Sequence, residues 1–343
     1  MISAHATGEQ VKSIGILGAG NWGTVLSILA AKQVTNVYLF DRDQARVAEI
    51  TTTRENKRYL PGIRLPDCVV VTNSLEQVFK ECRLILPVIP SGAFRKFAQD
   101  YSRYVEGDHL LVHGTKGLEP GTHKRMSEIL SEETSCLRVG ALSGPNLAME
   151  LAKGQPGATV VSSRFDEVIE ETQKALSSTL LRVYGNHDLV GVEWAGALKN
   201  ILAIAAGILH EMGFGQNALA MVLTRGLAEI SRLITAMGAH SSTLLGLAGI
   251  GDVIATCTSP LSRNFRAGQL LAKGHQPSEI ERELAMTVEG LNTIQVAIEL
   301  ATKKRLDLPI TQALSDIAFK RKPAKEALQG LMERPSTFEF SFQ

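Results

Sequence analysis

Lys199 stands in Glu193-Trp194-Ala195-Gly196-Ala197-Leu198-Lys199-Asn200-Ile201-Leu202-Ala203-Ile204, an apolar run with helical spacing that carries one Lys–Asn pair. A lysine buried among alanine and leucine loses the water that stabilises its ammonium, so its pKa falls and it can serve as a general base near neutral pH. A lone lysine on such a helix can equally reach past its neighbours to solvent. A second cluster begins at Leu245-Gly246-Leu247-Ala248-Gly249-Ile250-Gly251-Asp252 and continues Val253-Ile254-Ala255-Thr256. On a helix Asp252 and Thr256 share a face. Ser262-Arg263-Asn264 follows, and a planar guanidinium flanked by neutral donors suits a phosphate. Taken alone, the same residues read as a helix start capped by Asp252, with Arg263 on the surface.

The most specific chemistry lies near the N-terminus. Ile14-Gly15-Ile16-Leu17-Gly18-Ala19-Gly20-Asn21-Trp22-Gly23 sets G-x-G-x-x-G directly after a predicted strand and at the start of a predicted helix. Gly18 permits the tight turn, Gly20 lets a pyrophosphate approach the backbone, and Gly23 lets the helix pack closely on the sheet. The helix N-terminus supplies unpaired N–H groups and partial positive charge. Bare glycine spacing would also fit an ordinary strand-to-helix turn. Here an acid about 20 residues on, Asp41 in Phe40-Asp41-Arg42-Asp43, completes the dinucleotide pattern. Asp41 would accept bonds from ribose hydroxyls and favours NAD, whereas Arg42 could pair with the 2′-phosphate of NADP, so the preference stays open. Lys116, in His113-Gly114-Thr115-Lys116-Gly117-Leu118-Glu119-Pro120, and Asn146, in Leu142-Ser143-Gly144-Pro145-Asn146, each follow a predicted strand, at the edge where such sheets bind ligands. Each segment alone also reads as an ordinary loop.

Positioning these residues requires alternating strands and helices. The predicted strands are Ser13–Leu17, Asn36–Phe40, Cys68–Thr72, Leu84–Val88, Leu110–His113, Val139–Leu142, Ala158–Ser162 and Leu181–Tyr184. Predicted helices Trp22–Lys32, Leu75–Cys82 and Gly92–Tyr104 fall between them. Such alternation needs crossover connections and implies an α/β fold, a doubly wound, mostly parallel sheet. Beyond about Gly191 the pattern is helical only: Val192–Met212, Gln216–Met237, Pro260–Lys273, Ser278–Ala285, Gly290–Lys304 and Leu306–Phe319. The expected organisation is a dinucleotide-binding domain over 1–190 and an all-helical substrate and catalytic domain over 191–343.

Composition narrows the class. In 343 residues, 36 Lys and Arg stand against 35 Asp and Glu, a net charge of +1, which argues against a broad nucleic-acid surface. Hydrophobic residues make up 44%, as in ordinary globular domains, so wholesale disorder is excluded. None of the four cysteines forms a C-x-x-C, and no metal-ligand cluster is visible. Met1–Lys12 lacks the apolar core of a secretory signal, and the most apolar stretch, Ile201–Leu209, is too short to span a bilayer. The expectation is a reduced, cytoplasmic protein without a transmembrane segment.

Taken in order, GAGNWG, the P-x-x-P-S-x-A-F-R segment at Pro87–Arg95, HGTKGLEP, LSGPN, GALKN, GLAGIGD, SPLSRN and TVEG resemble the bacterial-type NAD(P)-dependent glycerol-3-phosphate dehydrogenase family from Ile14 to about Glu333. The resemblance implies a Rossmann domain followed by a helical domain, usually as a homodimer. It implies Lys199 as the proton acceptor, with Lys116 contacting substrate and Asp252 orienting the catalytic amine. Gly144, Asn146, Asn200, Asp252, Thr256, Ser262, Arg263 and Asn264 would surround the substrate. Asn21, Trp22, Arg42, Lys116, Ala148, Arg263, Val288 and Glu289 would touch NAD or NADP, beside Gly18, Gly20, Gly23 and Asp41. The implied reaction is reversible reduction of dihydroxyacetone phosphate to sn-glycerol 3-phosphate, a glycerophospholipid precursor, with no metal. Two other classes are weighed against it. Related hydroxyacid dehydrogenases share the glycine loop and a helical lysine but not GLAGIGD followed by SRN. A dinucleotide-sensing module would bind the cofactor without turnover.

Overall fold

The strands form where apolar, β-favouring residues cluster or alternate: β1 (Ser13–Leu17), β2 (Asn36–Phe40), β3 (Val69–Thr72), β4 (Leu84–Pro87), β5 (Leu110–His113), β6 (Val139–Ser143), β7 (Gly157–Ser163) and β8 (Leu181–Asn186). The computed structural model describes residues 11–260, 262–284, 288–335 and 338–339. Most of the N-terminal segment expected to lack a signal, Ala285 of one expected helix and Thr287 of TVEG lie outside those residues. The strands make one sheet in the order β3-β2-β1-β4-β5-β6-β7-β8. Every neighbouring pair is parallel except β6 with β7. β1 pairs on one side with β2 (Ile14 with Val37) and on the other with β4 (Ile14 with Leu84). The strand order therefore reverses at β1, and in such sheets ligands gather beyond the strand ends at that point.

Seven helices accompany the sheet: α1 (Asn21–Ala30), α2 (Gln44–Thr53), α3 (Leu75–Glu81), α4 (Ser91–Tyr101), α5 (Met126–Glu133), α6 (Ala148–Ala152) and α7 (Asp166–Leu176). Ile14 and Ile16 pack with Val25, Leu26 and Leu29 of α1 in one apolar core. Leu17 packs with Val78, Phe94, Ala98, Met126 and Ile129 in a second core. Side chains alternate across a strand, so these are the two faces of the sheet, both covered as a parallel sheet requires. Helices α2, α5, α6 and α7 were not anticipated. In α2, QARVAEITTT buries only Ile50, whereas α7 buries a regular face, Val168, Ile169, Thr172, Ala175 and Leu176, behind a charged first turn. The helix expected over Gly92–Tyr104 ends at Tyr101 and tightens into a 3₁₀ turn, Ser102–Tyr104.

The later helices are α8 (Leu189–Glu211), α9 (Gln216–Ala236), α10 (Asp252–Cys257), α11 (Arg263–Ala272), α12 (Pro277–Leu284), α13 (Glu289–Lys304), α14 (Pro309–Lys320) and α15 (Ala324–Met332). By packing, the chain divides into two compact units. The α/β unit runs through Gly196 and takes up Leu245–Asp252, and the helical unit comprises Ala197–Leu244 and Val253 onward. Packing thus draws the division differently from a cut after residue 190. The GLAGIGD segment joins the α/β unit, where a Cβ on Gly251 would lie 3.7 Å from Pro145. At 23 residues α8 is long and apolar enough, by length and composition, to cross a membrane, and its apolar window is fully buried inside the protein. The span Ile201–Leu209 underestimated it because the helix continues toward the N-terminus through Ala195, Gly196, Ala197 and Leu198.

Candidate active site

Each glycine of the N-terminal loop has its own reason. Gly18 has φ +119°, and a Cβ there would sit 2.5 Å from the Val88 carbonyl oxygen. A Cβ on Gly23 would meet the Gly18 carbonyl oxygen at 2.0 Å, so helix and turn touch only because both residues lack side chains. Gly20 differs: a Cβ there would meet nothing within 4 Å. Its backbone precedes α1 without a side-chain cap, leaving the first-turn N–H groups facing that open space. Asn21 is exposed at the first position of α1. The Trp22 indole N–H is buried and makes no hydrogen bond among the described residues. The loop is buttressed from below by Asn56, whose Nδ2 donates to the Ala19 carbonyl (2.9 Å) and the Thr24 hydroxyl (2.8 Å). An open glycine at a helix start without a side-chain cap is what a dinucleotide pyrophosphate needs, and these residues fit one.

Asp41 directly follows β2 and is 5% exposed, whereas Arg42 is exposed. The Asp41 carboxylate accepts from the Asp43 N–H at 2.9 Å and from Arg46 Nη1 at 2.7 Å. Ala148, at the start of α6, is half-buried against the core that holds α1.

The loop after β5 carries Lys116. Its ammonium donates to the Gly144 carbonyl (2.6 Å) and pairs with Asp252 Oδ2 (2.7 Å), a carboxylate 2% exposed. The loop is clamped on either side of the lysine. The Thr115 hydroxyl donates to the Ile89 carbonyl at 2.7 Å, and Arg95 forks onto both oxygens of Glu119 at 2.6 and 2.8 Å. Glu132 and Glu133 also meet Arg95, and these bonds to the carboxylates hold its pKa far above the ordinary value. Gly144 (φ +136°) occupies backbone space closed to side chains, 3.1 Å from the Thr159 Cα for any added Cβ. Asn146 Nδ2 donates to Thr159 at 3.4 Å, and its buried Oδ1 accepts no bond among the described residues.

The helical unit holds Lys199, 6% exposed, with Nζ donating to the Thr256 hydroxyl at 2.6 Å. Of the two fates open to this lysine, burial is the one the fold adopts. Its neighbour Asn200 belongs to a relay: Asn264 Nδ2 donates to Asn200 Oδ1 (2.9 Å), and Asn264 Oδ1 accepts from the Gly290 N–H (3.0 Å). The relay exists because α8 and α11 touch backbone to backbone. A Cβ on Gly207 would lie 1.9 Å from the Phe265 carbonyl oxygen, and one on Gly268 would lie 2.1 Å from that of Ile204. Ser262 is the N-cap of α11, accepting from the Phe265 N–H at 3.3 Å, and Arg263 is exposed at the first helical position. Val288 is buried as N-cap of α13, and Glu289 is half-buried in its first turn.

With this geometry in place, comparison with known proteins is decisive. The family model for the NAD-dependent glycerol-3-phosphate dehydrogenase N-terminus matches residues 13–169, and that for the C-terminus matches residues 188–329. The chain belongs to this family. It is 44% identical over 324 residues to glycerol-3-phosphate dehydrogenase [NAD(P)+] of Bacillus cereus (strain AH187), covering 94% of this chain and 95% of the relative. The solved glycerol-3-phosphate dehydrogenase of Coxiella burnetii superposes with a TM-score of 0.87 at 34% identity, covering 94% of this chain and 99% of that one. That of Saccharomyces cerevisiae superposes with a TM-score of 0.83 at 26% identity, covering 94% and 100%.

Within this family member, several supporting residues escaped the sequence reading. Asn56, the Arg95–Glu119 fork and Glu193 act at separations of 24 residues or more, while Arg46 acts locally, five residues from Asp41. Only Glu193 left a trace, as a lone acid at the head of an otherwise apolar helix.

Proposed function

We propose that the protein reversibly reduces dihydroxyacetone phosphate to sn-glycerol 3-phosphate, using NADH or NADPH, with Lys199 as general acid and base. The observation that carries this reading is Lys199 itself, a lysine buried on an apolar helix and hydrogen-bonded to the Thr256 hydroxyl. Desolvation disfavours its ammonium, so the amine can take the C2 hydroxyl proton in oxidation and return it in reduction. Bound nicotinamide supplies the hydride chemistry. Gly18, Gly20, Gly23, Asn21 and Trp22 would hold the pyrophosphate end at the N-terminus of α1. Asp41 and Arg42 would meet the adenosine ribose, and Lys116, Ala148, Arg263, Val288 and Glu289 are assigned further cofactor contacts. Lys116, kept in place by Asp252, is assigned to substrate, as are Gly144, Asn146, Asn200, Thr256, Ser262 and Asn264. Arg263 offers its exposed guanidinium to the substrate phosphate. We assign the dinucleotide-binding role to residues 1–190 and the substrate role to 191–343. A cytoplasmic homodimer feeding glycerophospholipid synthesis completes the reading, and the thiols of Cys68, Cys82 and Cys136 suit a reducing compartment.

The test is loss of NADH or NADPH absorbance on adding dihydroxyacetone phosphate, with dihydroxyacetone as control. Rapid loss with the phosphorylated substrate alone is expected. No loss with either cofactor would leave a dinucleotide sensor without turnover.

A further inference from the structure

In a doubly wound sheet, an acid just after the second strand binds the ribose hydroxyls of NAD, and its bare charge would repel a 2′-phosphate. Asp41 has that position, but its charge is not bare. Arg46 Nη1 meets Oδ2 at 2.7 Å, while Arg46 Nη2 reaches Asp43 Oδ2 at 3.2 Å. The arrangement follows from local structure. Asp43 caps α2 through the N–H groups of Ala45 and Arg46, so Arg46 falls in the first helical turn and its side chain folds back over the end of β2. The Tyr59 ring lies 5.4 Å from the Arg46 guanidinium carbon. The two side chains are only 17% and 6% exposed, so solvent screens the pair weakly.

We infer that Arg46 determines cofactor choice: by neutralising Asp41 it lets one site accept a 2′-phosphate as well as a 2′-hydroxyl. The hydroxyl keeps its acceptor, because each carboxylate oxygen has a second lone pair beyond the one given to Asp43 N–H or Arg46. The phosphate meets a neutral pair in place of an anion. This rests on the dinucleotide reading of the glycine loop.

Calorimetric titration of the full-length protein with NADH and with NADPH tests it without turnover. Arg46→Met keeps an apolar stem beside Tyr59 and removes the charge. NADPH binding is expected to weaken roughly 10- to 100-fold while NADH binding stays within about threefold. Adding Asp41→Asn to that variant removes the exposed anion and should return NADPH affinity to within about threefold of wild type. Asp41→Asn alone should weaken NADH and spare NADPH, a result that does not depend on Arg46→Met folding. Equal losses of both cofactors in Arg46→Met, or no rescue in the double variant, would overturn the inference. So would wild-type protein that binds NADH but rejects NADPH. Wild-type protein that binds neither would overturn the dinucleotide reading and this inference together.

Discussion

Two buried glutamates, one in each unit, end up with opposite acidities. Glu193, in the α/β unit, accepts from the Ser127 N–H (2.9 Å), Arg125 Nη1 (2.7 Å) and His113 Nε2 (3.0 Å). Burial pushes its pKa up, but the bond and charge of His113, the charge of Arg125 and the Ser127 bond outweigh this and hold it below the ordinary value. Glu229, in the helical unit, accepts from the N–H groups of Ile310 (2.6 Å) and Thr311 (3.0 Å) and from the Thr311 hydroxyl (2.9 Å), closing the N-terminus of α14. There burial wins: the neutral donors, with a minor contribution from Arg232, leave its pKa above the ordinary value. Glu193 is thus met by opposite charge, while Glu229 is met chiefly by neutral donors. An ion pair fixes a group in one charge state, whereas a neutral partner leaves it able to change.

Across the two units, the largest expected effect is on turnover. Lys199→Met should lower kcat by roughly 10²–10⁴ while NADH affinity, measured by titration, stays near wild type. Wild-type turnover would remove Lys199 from the chemistry. Next comes Glu193→Ala, which leaves the half-buried Arg125 and the buried His113 facing a void. Chemical denaturation should show a loss of about 3–5 kcal/mol. Stability within error of wild type would mean that these charges are satisfied some other way.

The smallest effect is the sharpest, because the two carboxylates predict opposite pH trends. Glu193, depressed, contributes stability that is full above its ordinary value near 4.5 and is lost as pH falls through its folded pKa. Glu229, raised, contributes stability that is full below about 4.5 and is lost as pH rises through its folded pKa. Glu229→Gln should therefore abolish a decline in stability above the ordinary carboxylate range. Unfolding free energies of wild type and variant across pH measure it directly. Parallel curves would place Glu229 among groups that do not titrate differently on folding.

Much of this molecule was legible from residue order. All eight strands were placed to within about two residues, because each is an apolar run bounded by turn residues, a pattern carried by consecutive positions. The long helices α8, α9 and α13 were equally plain. Of those missed, α2, α6 and α15 each bury a single side chain and give little periodicity, whereas α5 and α7 bury four and five and their faces were legible but overlooked. The antiparallel entry of β7 beside β6 also left no mark, since pairing direction depends on a neighbour and not on the strand's own residues.

The same boundary runs through the candidate site. Residue order alone determined the glycine loop, the acid after β2 and the lysine on its apolar helix, because local backbone sterics and side-chain chemistry dictate those choices. Only the tertiary structure decided which partner each group would have: Arg46 for Asp41, Asp252 for Lys116, Thr256 for Lys199 and Asn264 for Asn200. Charge state and direction depend on what lies within about 3 Å in space, and except for Arg46 those atoms come from segments more than fifty residues away along the chain.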